Sequence, residues 1–237
     1  MNNKKNIAIA LAMIVVIIAS FATYKFYYQK AETAEYEFFS IQDDANSIVW
    51  NEQTNVDELS RGEFNRKIEE LKNKIATETD SENLMAHYTN IGIYYGYLGD
   101  YRSAYDYYLK ALEIDPSFRR SWLNLGDILI SMKAYKSAEV AYNKSLELFS
   151  YDDLGYKKLI SLYELVYADN HQLIKSTYEQ ALAMLRDNSE DEVPLLKKYV
   201  GWLSETKQTA DAEKIYDELI EKDAANAKIY QEQKNSL

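Results

Sequence analysis

Apolar and small residues recur at a fixed interval within residues 85–152. In the first copy, Tyr88, Ile91, Gly92 and Tyr95 are three or four positions apart, which places them along one face of a helix. The same kinds of residue return 34 positions later, at Trp122, Leu125, Gly126 and Leu129. The pattern therefore predicts two similar amphipathic helices in equivalent places of a repeated unit.

A second helical face follows each of these. Ala104, Tyr108 and Ala111 are four and three positions apart, and Gly99-Asp100 interrupts the chain before them. Their counterparts 34 residues later are Ala138, Tyr142 and Ser145. Each unit is thus predicted to be a helical hairpin, and the small residues allow its two backbones to approach closely. A single hairpin cannot bury its own apolar face, so the units must stack on one another.

This arrangement of an aromatic, an apolar residue, glycine and a second small-aromatic-small face resembles the tetratricopeptide repeat (TPR). Asp115-Pro116 closes the first copy where that family has its proline. The resemblance implies an all-α fold, a TPR α-solenoid in which antiparallel helix pairs form a right-handed superhelix. It also implies that the function is binding to another protein.

The TPR domain is predicted to cover residues 85–237. Its repeats are assigned to residues 85–118, 119–152, 153–188 and 193–226, with a C-terminal capping helix at 227–234. In the third and fourth repeats, Ile160 and Val200 occupy the position that glycine has in the first two. These larger side chains are expected to hold the two helices of each hairpin further apart.

Before the repeats, residues 58–80 show apolar positions on one helical face and charged positions on the other, without the small residues of the repeat. This segment is predicted to be an N-terminal capping helix. Residues 29–57 are interpreted as a linker, because its end, residues 45–57, lacks a sustained period. Trp50 is expected to pack against the first helices, with an exposed partner contact as the alternative.

The first residues of the chain are strongly apolar. Residues 7–24 would form a helix of roughly 27 Å, close to the thickness of a bilayer core. Lys4 and Lys5 precede the run and aromatic residues follow it. Residues 1–28 are therefore predicted to be a signal anchor and transmembrane helix, with the N-terminus cytoplasmic and the repeats extracytoplasmic. The alternative is a signal peptide cleaved after Ala22, which would release a secreted soluble protein.

Charge and composition narrow the function. The net charge of −11 argues against a nucleic-acid partner, which would require a basic surface. The chain has no cysteine, so disulfides and cysteine-based metal sites are excluded. His87 and His171 lie in different repeats without acidic or nucleophilic neighbours at catalytic spacing, and no phosphate loop or metalloprotease motif is present. No enzyme activity, cofactor or metal is therefore predicted.

The resemblance implies that the first helices of successive repeats line a concave groove. Groove residues are then those that the packing pattern leaves free, a mixture of apolar and both charge signs. They are Thr89, Ile93, Tyr97, Arg120, Leu123, Asp127, Lys157, Ser161, Glu164, Lys197 and Ser204. The TPR subtype that captures the C-terminal carboxylate of chaperones needs lysine and asparagine on the first groove helix. Thr89 and Ile93 stand there instead, so that subtype is not expected.

The resulting hypothesis is a membrane-tethered adaptor or scaffold that binds a peptide or helix of a partner protein in its groove. In layout the chain resembles bacterial inner-membrane proteins with TPR arrays, which implies that location. The alternative is a structural scaffold that self-associates as a homo-oligomer through an uncovered end of the array.

Overall fold

The computed structural model describes residues 39–151, 153–185 and 189–237, with the backbone alone for residues 189–191. The chain divides into two units, residues 1–40 and residues 41–237. Only Phe39 and Ser40 of the first unit are described. The predicted anchor, residues 1–28, and the first ten residues of the predicted linker lie outside the described residues. Within the described ranges no helix is long and apolar enough to cross a bilayer.

The second unit is helical. Its described residues form ten α-helices and two short 3₁₀ helices, with no β-strand beyond an isolated bridge. The helices are α1 (Glu58–Ile75), α2 (Ser81–Leu98), α3 (Tyr101–Ile114), α4 (Arg119–Ser131), α5 (Tyr135–Leu148), α6 (Asp153–Val166), α7 (His171–Leu185), α8 (Ser189–Glu205), α9 (Thr209–Lys222) and α10 (Ala227–Lys234).

The helices pack as a linear series of hairpins. The pairs α2/α3, α4/α5, α6/α7 and α8/α9 occupy the four segments assigned to repeats, and each pair packs against the next. Helix α1 packs on α2 at one end and α10 on α9 at the other. The fold is an all-α solenoid, as the periodicity predicts. Two boundaries differ from the prediction: α1 ends at Ile75 rather than at residue 80, and α8 begins at Ser189, within the acidic stretch interpreted as an insertion.

Glycine is required where the two helices of the first two hairpins cross. A Cβ atom on Gly92 would lie 2.6 Å from Cε1 of Tyr108, and one on Gly126 would overlap the Tyr142 ring. Ile160 and Val200 are buried at the equivalent positions, and the hairpins that contain them pack less closely. This agrees with the expected separation of their helices.

The turns inside the first two hairpins share one backbone conformation. Gly99 has φ 80° after α2, and Lys133, 34 residues later, has φ 60° after α4. In each turn the next amide donates back to the helix, Asp100 to Tyr95 and Ala134 to Leu129. This left-handed residue is a common helix ending. Because lysine adopts it too, the conformation alone does not require Gly99.

The segment at residues 41–57, here called the leading segment, packs along these turns and does not behave as a free linker. The amide of Val49 donates to the Met132 carbonyl and that of Glu52 to the Gly99 carbonyl, each at 2.9 Å. A Cβ atom on Gly99 would overlap the Glu52 carbonyl. Passage of the leading segment is therefore the local reason for glycine at this turn.

Trp50 is a packing residue, as expected. Its ring meets Tyr105 edge-on at 6.0 Å, and the Arg102 guanidinium lies 4.6 Å from its centre.

The leading segment also completes the start of α5. Asp100 caps α3 by accepting from the amide and hydroxyl of Ser103. The equivalent residue before α5 is Ala134, which has no side-chain acceptor. Asp43 supplies the missing carboxylate, accepting from the amides of Lys136 and Ser137 and from the Ser137 hydroxyl. A residue distant in sequence therefore performs the capping that satisfies the first amides of a helix.

Candidate partner-binding groove

The first helices of the four hairpins form one continuous surface, here called the groove. Side-chain bonds join each first helix to the next. Arg120 on α4 donates to Asn90 on α2 at 3.2 Å, and Lys158 on α6 bonds to Asp127 on α4 at 2.6 Å. On α8, Lys198 pairs with Glu164 of α6 at 3.0 Å.

Two of the predicted groove residues are not on this surface. Thr89 is 0% exposed, and its hydroxyl bonds to the Ser121 hydroxyl and the Met85 carbonyl, both at 2.7 Å. Leu123 is 5% exposed. Both face neighbouring helices, so the prediction that they contact a partner is wrong. The stacking of one hairpin on the next buries these positions.

Three predicted residues lie together where α2 meets α4, here called the first junction. Ile93, Tyr97 and Asp127 line a cavity of about 260 Å³. Tyr97 is 55% exposed and its ring also contacts Phe64 of α1, with ring centres 5.4 Å apart. The first junction therefore combines apolar walls with a carboxylate at the groove surface.

Where α4 meets α6, the second junction, the groove is closed by an ionic group of three side chains. Asp127 accepts from the Tyr142 hydroxyl at 2.7 Å and from both directions of the Lys158 ammonium at 2.6 and 2.7 Å. Burial, and then the charge and hydrogen bond of Asp127, raise the pKa of Tyr142 well above its ordinary value. The hydroxyl is thus held protonated as a donor.

The third junction, between α6 and α8, repeats this chemistry. Glu164 accepts from the Tyr178 hydroxyl at 2.7 Å and pairs with Lys198. Lys198 also donates to the Ser161 hydroxyl at 3.1 Å. Burial and the bond to Glu164 raise the pKa of Tyr178. Two predicted groove residues, Ser161 and Glu164, are therefore engaged within the array.

The remaining predicted residues differ in their freedom. Arg120 is exposed and makes the bond to Asn90 described above. Lys157 pairs with Asp153 one turn earlier on its own helix. Lys197 pairs with Asp223 at 3.2 Å and lies 5.7 Å from the ring centre of Tyr230, which directs it towards the C-terminal end. Ser204 donates to the Val200 carbonyl of its own helix.

The first junction lacks the ionic group that closes the other two. Counting back 34 residues from Asp127, Tyr142 and Lys158 gives Ile93, Tyr108 and Asn124. Tyr108 is 3% exposed, and its hydroxyl has no hydrogen-bond partner among the described residues. Burial, and then the charge of Asp127, raise the pKa of Tyr108, so its hydroxyl is also a protonated donor. Tyr108 and Asn124 both line the cavity.

Three groove residues were missed as such by the sequence pattern: Tyr108, Asn124 and Lys198. Tyr108 occupies a packing position of the repeat, which hides the direction of its hydroxyl. Comparing the repeats position by position would have found Asn124, because its counterpart is Lys158. The insertion in the third repeat obscured the same relation for Lys198. Across the described ranges no three His, Cys, Asp or Glu side chains are grouped as metal ligands.

Comparison with known families agrees with this geometry. Residues 87–118 match a tetratricopeptide repeat model, and residues 120–152 match a second one. The chain contains tetratricopeptide repeats. The matched segments are the first two hairpins, which have the closely packed glycine crossings; the third and fourth hairpins are TPR-like in structure. Comparison with curated protein sequences gave no match.

Solved structures show the same fold. MamA has 17% sequence identity to this chain, covering 72% of it and 95% of MamA, with a TM-score of 0.54. The C-terminal part of a TPR repeat-containing protein from Cytophaga hutchinsonii is 17% identical, over 68% of this chain and 63% of that one, with a TM-score of 0.54. BtubC (BKLC) from P. vanneervenii is 19% identical, over 70% and 76%, with a TM-score of 0.52. At these identities the likeness concerns the fold.

Proposed function

We propose that this protein is an adaptor whose groove binds a segment of a partner protein. TPR proteins as a class mediate protein–protein interactions, and the groove carries the chemistry that such binding uses. The observation that carries the proposal is the open first junction. It offers an apolar wall and polar groups without internal partners, at the centre of the regular repeats. A short helix or extended peptide held by a few anchors suits this surface.

Photo-crosslinking in membranes that contain the full chain tests the proposal. A photoreactive residue replaces Tyr97 in the groove or, as the matched control, Lys144, an exposed position on the second helix α5. We expect a discrete crosslinked partner from position 97, reduced by the additional change Arg120→Glu, and none from position 144. Equal products from both positions, unaffected by Arg120→Glu, would reject the groove as the binding surface.

We further propose that residues 1–28 tether the groove to a membrane, with the repeats on the extracytoplasmic side. The support is the apolar run at residues 7–24 with its flanking lysines and aromatic residues. Protease treatment of intact and opened cells tests the orientation, and mass spectrometry of the mature chain tests the tether. A mature N-terminus at Thr23 would replace the anchor by a cleaved signal peptide.

Self-association is the second candidate, favoured by the C-terminal end of the array. A cavity of about 410 Å³ lies there between α8, α9 and α10, and Ile229 at its edge is 51% exposed. Light scattering across a concentration series distinguishes the candidates. A rise in mass with concentration that Ile229→Asp abolishes would support an oligomeric scaffold; a constant monomer mass would reject it.

A further inference from the structure

Tyr108 presents an unusual combination at the first junction. Its ring is packed against Gly92, so the side chain cannot turn away without opening the crossing of the hairpin. Its hydroxyl is nevertheless without a partner among the described residues, although a buried hydroxyl is costly unless it is hydrogen-bonded. The equivalent hydroxyls of Tyr142 and Tyr178 each donate to a carboxylate at 2.7 Å. The first junction therefore lacks an acceptor that the other junctions contain.

The cavity has three polar groups with complementary roles. The Tyr108 hydroxyl is a donor, and the Asn124 carboxamide both donates and accepts. Asp127 is an acceptor whose second oxygen bonds only to Lys158. Each carboxylate oxygen has two lone pairs, so Asp127 retains room for another donor. A ligand that satisfies all three groups must carry both an acceptor and a donor.

The charges at the junction restrict the ligand further. The negative charge of Asp127 disfavours a carboxylate in the same cavity. That charge is already matched by Lys158, so an ammonium group would meet a like charge without gaining a free counter-ion. A neutral group with adjacent acceptor and donor atoms is left, which is the chemistry of a primary carboxamide. Ile93, Ile128 and the Tyr97 ring supply apolar walls for the methylene groups that lead to it.

We propose that the first junction is a binding site for the carboxamide side chain of a glutamine or asparagine in the partner. The carboxamide oxygen accepts from Tyr108 and Asn124, and its nitrogen donates to Asp127. The cavity of about 260 Å³ holds one such side chain. This inference rests on the proposed function of the groove, because it names the residue type that the groove recognises.

Three small probes of matched size test the site on the full-length chain in detergent: propionamide, propionate and propylammonium. The chain is labelled with ¹⁵N-asparagine, and the side-chain amide of Asn124 is assigned with an Asn124→Asp variant. We expect propionamide to shift this amide saturably at millimolar concentrations, since so small a ligand has few contacts. Propionate and propylammonium should bind about tenfold more weakly because of the charges they meet.

Variants connect the binding to the unpartnered hydroxyl. Tyr108→Phe keeps the ring against Gly92 and should weaken propionamide about fivefold, the effect of one net hydrogen bond. Tyr178→Phe removes a similar hydroxyl at the third junction and should leave the affinity unchanged. Equal affinities for the three probes, unchanged affinity in Tyr108→Phe, or no saturable shift would each overturn the proposal. The crosslinking at position 97 is independent of these results, so the groove could still bind a partner through other contacts.

Discussion

The first and second repeats follow one 34-residue pattern, yet they complete it in different ways. At the turn, repeat 1 uses Gly99 and its own Asp100, whereas repeat 2 uses Lys133 and a carboxylate borrowed from Asp43. In the groove, repeat 2 is closed by an ionic group around Asp127, whereas repeat 1 has Ile93 there and an open cavity. The pattern fixes the packing of the hairpins, and the remaining positions decide where the surface can bind.

The largest effect is expected at the two turns. Gly99→Ala should lower the free energy of unfolding by about 3 kcal/mol, because the left-handed conformation and the displaced Glu52 hydrogen bond both act against it. Lys133→Ala is the matched control, since that residue already tolerates the conformation with a side chain, and should change stability little. Urea denaturation of residues 41–237 measures both. A similar loss at the two turns would contradict the role assigned to the leading segment.

The next effect concerns the ionic group of the second junction. Asp127→Leu removes the acceptor of both Tyr142 and Lys158 and should reduce the free energy of unfolding by about 2 kcal/mol. Ile93→Leu, at the equivalent position of repeat 1, keeps an apolar side chain and should cost less than about 1.5 kcal/mol. The same denaturation experiment compares them. The difference between the junctions would be lost if Asp127→Leu were neutral.

The two caps should be equivalent although one is local and the other comes from the leading segment. Asp100→Ala and Asp43→Ala should each reduce the free energy of unfolding by about 1 kcal/mol, the usual value of a helix cap. Hydrogen exchange distinguishes them: Asp43→Ala should also expose the amides of Val49 and Glu52, whereas Asp100→Ala should not. Protection of Val49 that is unaffected by Asp43→Ala would show that the leading segment docks without this cap.

The smallest effect comes from building the ionic group into repeat 1. The double change Ile93→Asp with Asn124→Lys places the acid and the lysine where repeat 2 has them. We expect a favourable coupling energy of about 0.5 kcal/mol in a double-mutant cycle, since such pairs are partly exposed. The variant should also lose its response to propionamide, because the new pair fills the cavity. Retained binding together with a measured coupling would separate the cavity from the ionic group.

Much of the fold could be predicted from the sequence because its period is regular. Helix pairs, crossing glycines and the core positions of Trp122 and Tyr142 follow from the 34-residue spacing, and the structure has them. The course of the leading segment could not be predicted, because it depends on backbone hydrogen bonds to turns that leave no periodic trace. Its one side-chain signal was the absence of a capping residue at Ala134.

The candidate site was predicted only in part. Helical spacing identified Ile93, Tyr97 and Asp127, but it also selected Thr89 and Leu123, which stacking of the next hairpin buries. Spacing within one helix does not show how far a neighbouring hairpin covers it. It also does not show whether a charged residue such as Glu164 is used internally. Direct comparison of equivalent positions across the repeats carries that information, as Asn124 and Lys158 show.

The central claim is that Tyr108 and Tyr142, equivalent residues of the repeat, differ in whether their hydroxyls are used inside the array. Denaturation of Tyr108→Phe and Tyr142→Phe side by side tests it most directly. The account predicts a loss of about 2 kcal/mol in the free energy of unfolding for Tyr142→Phe, whose hydroxyl bonds to a carboxylate, and a change near zero for Tyr108→Phe. Equal losses for the two variants would contradict it.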